Sequence, residues 1–249
     1  MRNTGRCQRP RIAAMSTPQT QAVDPPGWQA LAAGYDGLLP RILPGAEAFF
    51  GCCTSFVPPG RVAVLELGSG TGYATEALLK RNPQAQVTCL DLSSEMLAVA
   101  AAKPGLQSVQ FLQQDIRDAW PSNPFDVVFT TLCLHHLTDR ERSALVRRAF
   151  GALPSGGCFI NGDVFQPREE WEERLACQRW CHHMSAQGMT PEETAAMLAK
   201  RRANQSCLDT FSGWRSKLRQ AGFARIFSPL TIEFYAVFAA FKSSVADAA

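Results

Sequence analysis

Glu66-Leu67-Gly68-Ser69-Gly70-Thr71-Gly72 sets three glycines on alternate positions directly after an apolar run. Glycine is needed where a chain turns sharply and where backbone must approach a ligand closely. Asp91 closes the next apolar run, and an acid at that place can accept both hydroxyls of a ribose, as it does in dinucleotide enzymes. Together these features point to a ligand built on adenosine. The spacing is not the dinucleotide fingerprint, which carries a further glycine three places after the second; here Tyr73 holds that position. His135 and His136 follow a later apolar run. A histidine within hydrogen-bond reach of a nucleophile can serve as general base, and His136 is the candidate, with its neighbour packing. Cys177, Cys181, His182 and His183 have the side chains for zinc, but a structural site draws on matched ligand pairs. No second pair accompanies them, so no metal is assigned.

Positioning these residues requires strands and helices in alternation. Residues 62–67, 86–91, 109–112, 125–129 and 158–163 are short apolar runs bounded by turn residues, the pattern of buried strands. Helices are expected over 73–81, over 94–102 with Ser93 as N-cap, and from Thr138 or Asp139 to Phe150. Such alternation predicts a parallel sheet with helices on both faces. Helical stretches at 168–186, 191–202 and 211–221 come next, the last closed by Gly222. Strands at 224–228 and 233–241, separated by Pro229, read as an edge hairpin. The expected fold is α/β: a Rossmann-like, seven-stranded, mostly parallel sheet with helices on both faces, an antiparallel C-terminal edge hairpin and a helical lid. A basic, Pro-rich arm over 1–27 precedes a single domain over 28–249, and Met15 is an alternative start. Within the domain, 28–57 form a helical cover broken at Pro40 and Pro44, and 58–163 the cofactor-binding core. Residues 164–203 form the lid insert, and 204–249 the last helix and edge strands.

LELGSGTG resembles the first motif of the class I S-adenosylmethionine-dependent methyltransferases. The resemblance extends through Asp91-Leu92-Ser93-Ser94-Glu95-Met96-Leu97, through Gln114-Asp115-Ile116, and through the stretch from Asp126 to His136. It ends on the Pro154-Ser155-Gly156-Gly157 turn and the Ala221-Gly222-Phe223 turn. It implies S-adenosylmethionine as cofactor, with Gly68, Ser69, Gly70 and Gly72 around its methionine part and Glu66 near the ammonium, directly or through water. Asp91 would take the ribose, Leu92 and Met96 would lie against the adenine, and Asp115 would bond the adenine amino group beside the Ile116 backbone. Thr131 and Leu132 would line the pocket near the sulfonium. The segment YDGLLPRILPGAEAF is similar to an element of relatives of the tRNA wobble-uridine carboxymethyltransferase and of small-molecule methyltransferases. By that similarity Tyr35 would cover the cofactor and Arg41 would face its carboxylate, although Ala46 replaces the family's Tyr.

Composition narrows the class. Of 249 residues 46% are hydrophobic and 19% charged, enough for a sizeable core. The apolar runs fall far short of the roughly eighteen residues a membrane helix needs. A net charge of +3 is mild for a nucleic-acid binder, and the clusters Lys200-Arg201-Arg202 and Arg147-Arg148 fit solvated helix faces. Nine cysteines, several inside strand-like runs, read as reduced thiols of a cytoplasmic protein. The expected function is methyl transfer to a small-molecule partner, with homodimerisation open. The alternatives are a tRNA-modifying enzyme using the same cofactor and a catalytically inactive cofactor-binding protein.

Overall fold

The computed structural model describes residues 31–243; the expected basic arm over 1–27 lies outside them. Helices α1 (Tyr35–Ile42) and α2 (Ala46–Ser55) lead into β1 (Ala63–Leu67), α3 (Tyr73–Arg81), β2 (Gln86–Asp91), α4 (Ser94–Ala102) and β3 (Gln110–Gln113). Then come β4 (Val127–Thr131), α5 (Asp139–Ala152), β5 (Cys158–Val164), α6 (Glu170–Ala186), α7 (Pro191–Asn204), α8 (Phe211–Ala221), β6 (Arg225–Ile232) and β7 (Tyr235–Phe241). The seven strands form one sheet in the order β3-β2-β1-β4-β5-β7-β6. The first five are parallel, and β7 runs antiparallel to both β5 and β6. The strand order reverses between β1 and β4, which opens a crevice at their carboxyl ends, where open α/β sheets bind ligands.

Side chains alternate between the two faces of each strand. Val64, Val127, Phe129, Ile160 and Val237 pack with Phe49 and Phe50 of α2, Leu78 of α3 and Trp180 of α6. Leu65, Leu67, Val128, Phe159 and Phe238 pack with Leu145 and Val146 of α5 and Trp214 and Leu218 of α8. Helix α2 is therefore a core layer rather than a cover. Ser93 caps α4, its Oγ accepting from the Met96 N–H at 3.2 Å, and Thr138 and Glu141 form a capping box on α5.

Several expectations are corrected. Helix α1 runs through Pro40 to Ile42 and is capped by Leu43, although an interior proline removes one N–H from the ladder. Strand β4 extends to Thr131, two residues beyond its expected end, because β1 pairs Leu67 with Thr130 and β5 pairs Gly162 with Thr131. Pro229 does not divide the hairpin. It lies within β6, where the register shifts between Phe227 and Leu230, and an edge strand at a bulge tolerates a missing donor. Glu233, with φ of 53°, belongs to the actual turn.

The basic clusters are not simply solvated faces. Arg201 is buried, its Nε and Nη2 each donating to Glu173 at 2.6 Å while its guanidinium lies 3.5 Å from the Phe234 ring centroid. This pair ties α6 to α7. Arg148 donates to the Arg117 carbonyl at 2.9 Å. Trp171 and Leu175 of α6 point outward at 58% and 49% exposure. At 3.6 residues per turn Trp171 lies half a turn from the buried Trp180, and Leu175 shares its side.

Removing one partner of a buried ion pair strands the other charge. Glu173→Ala is expected to cost about 3–5 kcal/mol of unfolding free energy, whereas Glu173→Leu with Arg201→Met recovers most of it. Urea unfolding of the three proteins checks this.

Candidate functional site

The loop after β1 turns on glycines held at positive φ: Gly68 at 67°, Gly70 at 54° and Gly72 at 74°. A Cβ at Gly68 would overlap Cys133, and one at Gly72 would come within 2.6 Å of Leu106 Cδ1, whereas nothing lies within 4 Å of the Cβ position at Gly70. The outer two glycines are thus required by packing, and the middle one leaves an open backbone surface. The Gly68 N–H donates to the Leu90 carbonyl at 2.8 Å. Asp91 completes the hold. Its Oδ2 accepts from the Gly70 N–H at 2.7 Å and its Oδ1 from the Ser93 N–H at 2.9 Å. Burial pushes the Asp91 carboxyl up, and these backbone N–H groups pull it back down.

Beneath the loop Glu66 is completely buried. Its Oε2 accepts from Thr75 Oγ1 at 2.7 Å and from Cys89 Sγ at 3.6 Å. Its Oε1 and the neighbouring Ser69 Oγ are buried without a partner. Burial, only partly offset by the Thr75 and Cys89 contacts, raises the Glu66 carboxyl to about 7.

Helix α1 is fastened to this loop by Asp36, which accepts from Thr71 Oγ1 and Lys103 Nζ, each at 2.5 Å. Burial, followed by the Cys133, Asp91, Asp163 and Asp36 side chains, pushes the Tyr35 hydroxyl up. Arg41 does not join this group, contrary to expectation. Six residues beyond Tyr35 on a helix it faces another way, and its Nη2 donates to the Gly188 carbonyl and to Glu193 Oε2, both at 3.2 Å. The end of α1 also receives Trp180 Nε1 at 2.5 Å and the Tyr235 hydroxyl at 3.1 Å on the Ile42 carbonyl, and His183 Nε2 at 3.0 Å on the Pro40 carbonyl. One short helix thereby joins the glycine loop to the α6–α7 pair.

Across the crevice Thr131 is buried at the end of β4, and Leu132 takes a φ of 49°. That conformation costs a non-glycine residue about 1–2 kcal/mol, strain of the kind that gathers at functional sites. The 3₁₀ turn that follows, Leu134–His136, carries the two histidines, which sit in different surroundings. His135 Nδ1 lies 2.6 Å from Asp163 Oδ1, and Asp163 Oδ2 accepts from the Leu134 and His135 N–H groups at 2.9 and 3.2 Å. A carboxylate only accepts, so the proton of a neutral ring resides on Nδ1 and Nε2 is left as a base. His136, its ring centroid 4.0 Å from that of His135, is driven down to about 2 by burial, His135 and Lys200, a poor basicity for proton abstraction. The contact was hidden in sequence because Asp163 lies near the end of a different strand, one that meets His135 only through the adjacency of β4 and β5.

The other expected residues lie along the ends of β2 and β3. Leu92 is 65% exposed and Met96 is buried. Asp115 is gripped by Arg117, and the carbonyl of the buried Ile116 accepts from Trp120 Nε1 at 2.8 Å. Cys177 donates to Glu173 at 3.4 Å, and no group of three His, Cys, Asp or Glu side chains among the described residues could hold a metal ion. No helix among them is long and apolar enough to cross a membrane.

Residues 64–157 match the family model described as a methyltransferase domain. It is 31% identical over 171 residues to the malonyl-(acyl-carrier protein) O-methyltransferase of Paenibacillus sp. (strain JDR-2), covering 66% of this chain and 56% of that one. It is 31% identical over 162 residues to the trans-aconitate 2-methyltransferase of Methylobacterium nodulans (strain LMG 21967 / CNCM I-2342 / ORS 2060), covering 64% and 56%. The chain thus spans little more than half the length of either relative. The solved complex of DhpI with SAH shares the fold at a TM-score of 0.61 and 23% identity, over 87% of this chain and 93% of that one.

Glu66 gives the ligand-free protein a pH signature. Native Glu66 keeps its proton to about pH 7, whereas an unfolded glutamate loses it near 4.3. Between those values the native state binds more protons, so the stability this group contributes is present at low pH and lost as pH rises. The unfolding free energy of the wild type minus that of Glu66→Gln should fall by about 2–3 kcal/mol between pH 5 and 7.5. A difference that does not vary with pH contradicts the burial account.

Proposed function

We propose that this chain transfers a methyl group from S-adenosylmethionine to an oxygen of a small-molecule acceptor. The observation that carries the reading is the Asp91 carboxylate, which holds the open backbone of Gly70 at 2.7 Å at the carboxyl end of β2. The remaining lone pairs of Asp91 fit ribose hydroxyls, and the unpartnered Oε1 of Glu66 fits an ammonium group. Gly68, Ser69 and Gly72 shape the methionine end. Leu92, Met96, Asp115 and Ile116 border the adenine, Thr131 and Leu132 lie toward the reacting centre, and Tyr35 closes the site from α1. Arg41 serves instead to hold α1 to the α6–α7 lid.

The cofactor supplies an activated methyl on a sulfonium leaving group, so what the protein must add is chiefly alignment. His135 adds proton transfer. Its Nε2 takes the proton of an acceptor hydroxyl, and Asp163 fixes the ring and steadies the imidazolium that results. Two relatives are named for malonyl-(acyl-carrier protein) and trans-aconitate, which favours acceptors that carry carboxyl groups; an acceptor already ionised needs His135 only for orientation.

A screen of hydroxy and carboxylic acids with labelled S-adenosylmethionine tests the reading, and transfer to none of them counts against it. With a hydroxyl acceptor, His135→Ala should lower kcat about a hundredfold, a usual size for a lost general base. His136→Ala should change it less than about threefold, as a residue too weak a base to share the proton transfer. Equal losses in the two variants contradict the assignment.

A further inference from the structure

The turn that carries His135 is held at both ends by buried charge. At its start the Asp163 carboxylate accepts from the Leu134 and His135 N–H groups. At its end the Leu137 N–H closes on the Leu134 carbonyl at 3.0 Å, and the Leu137 carbonyl accepts from Arg142 Nη1. Arg142 belongs to α5 and is 3% exposed. A carboxylate at the N–H end and a guanidinium at the carbonyl end is the arrangement that the dipole of a helical turn favours. The other nitrogens of Arg142 reach away from the turn. Nε donates to Asp209 Oδ2 at 2.7 Å and Nη2 to the Cys207 carbonyl at 2.6 Å. Both acceptors lie between α7 and α8, in a segment that is itself tied to the end of β5. There the Gln166 N–H donates to the Asp209 carbonyl at 3.0 Å and Gln166 Nε2 to the Leu208 carbonyl at 2.9 Å.

We propose that Arg142 is a positioning residue for His135: by fastening the Leu137 carbonyl to Asp209 and Cys207 it holds the histidine turn in register with Asp163. The proposal rests on the reading above that His135 is the base. A 3₁₀ turn has poorer hydrogen-bond geometry than an α-helix, so three residues do not fix their own place. The bond between His135 Nδ1 and Asp163 Oδ1, at 2.6 Å, needs the turn and β5 to keep a fixed separation. Arg142 supplies that constraint, because the segment that aims its guanidinium is fastened three residues beyond Asp163. His135, Asp163, Arg142 and Asp209 also line one cavity of about 10 Å³, room for no more than about one water, so the turn has little space in which to shift while Arg142 is in place. Lysine could supply the charge but could not span three acceptors with a rigid fork.

The test reads the His135–Asp163 bond directly and needs no acceptor. A proton held on Nδ1 against a carboxylate gives a low-field resonance in the proton NMR spectrum of the full chain, assigned by its loss in His135→Gln. Arg142→Met, Arg142→Lys, Asp209→Asn and Lys217→Met are compared, with thermal melts to show that each is folded. Lys217 Nζ bonds Asp209 Oδ1 at 2.9 Å and Asp139 Oδ1 at 2.6 Å. It is a buried cation of the same network with no bond to the turn, so its loss reports the structural effect alone. The resonance should move upfield or broaden away in Arg142→Met, return in part in Arg142→Lys, move less in Asp209→Asn, and stay in Lys217→Met. With an acceptor from the screen above, kcat of Arg142→Met should fall about tenfold or more while KM changes less than about threefold, the split expected of a misplaced group rather than a lost binding contact. If Arg142→Met does not fold, Arg142→Lys and Asp209→Asn decide by the same resonance. A wild-type resonance in the folded Arg142 variants, with kcat lost in His135→Ala, overturns the role of Arg142 and leaves the base reading standing. An equal change in Lys217→Met overturns it too. Full kcat in His135→Ala overturns the base reading and the proposal with it.

Discussion

A loop with left-handed backbone at Gly68, Gly70 and Gly72 gains nothing from regular secondary structure, and the Asp91 carboxylate keeps it in one shape. One side chain joins the loop after β1 to the end of β2 and to the start of α4. The glycines in turn let Cys133 and Leu106 pack against the loop at distances no side chain would allow. The crevice between β1 and β4 therefore has walls fixed by packing and a rim fixed by hydrogen bonds, and its open side is the backbone of Gly70. Everything assigned to ligand recognition depends on that rim staying where Asp91 puts it.

Helix α1 carries the consequence outward. Asp36 grips the glycine loop through Thr71, while Pro40 and Ile42 at the other end offer carbonyls to His183, Trp180 and Tyr235. The helix thus occupies two roles that its sequence suggested only in part. Tyr35 lies near Cys133, Asp91 and Asp163, and Arg41 braces the α6–α7 turn. Opposite, the Asp163 carboxylate is buried and held by three backbone N–H groups, and it fixes the His135 imidazole. A ring so restrained loses little freedom when an acceptor arrives.

The core of this arrangement was legible in sequence because it depends on local rules. Glycine spacing, an acid at a strand end, Ser93 as a cap and the alternation of apolar runs each fix structure within a few residues, and β2, α3, α4 and α8 fall where those rules place them. What was not legible involves partners far apart in the chain. Asp163 meets His135 only once β4 and β5 lie side by side. Arg201 belongs to the interior only because Glu173 and Phe234 meet it there, and in sequence it is one cation in a basic triplet. Pro229 misled for a related reason, since a proline reads as a break unless its strand is known to be the edge.

The most direct test is calorimetric titration of the purified chain with S-adenosylmethionine and S-adenosylhomocysteine, repeated on Asp91→Ala. If Asp91 holds both the loop and the ribose, the wild type binds in the micromolar range and the variant binds at least about tenfold more weakly, a loss of about 1.4 kcal/mol or more. Folded wild-type protein that binds neither ligand, or a variant that binds as tightly as the wild type, would contradict the account.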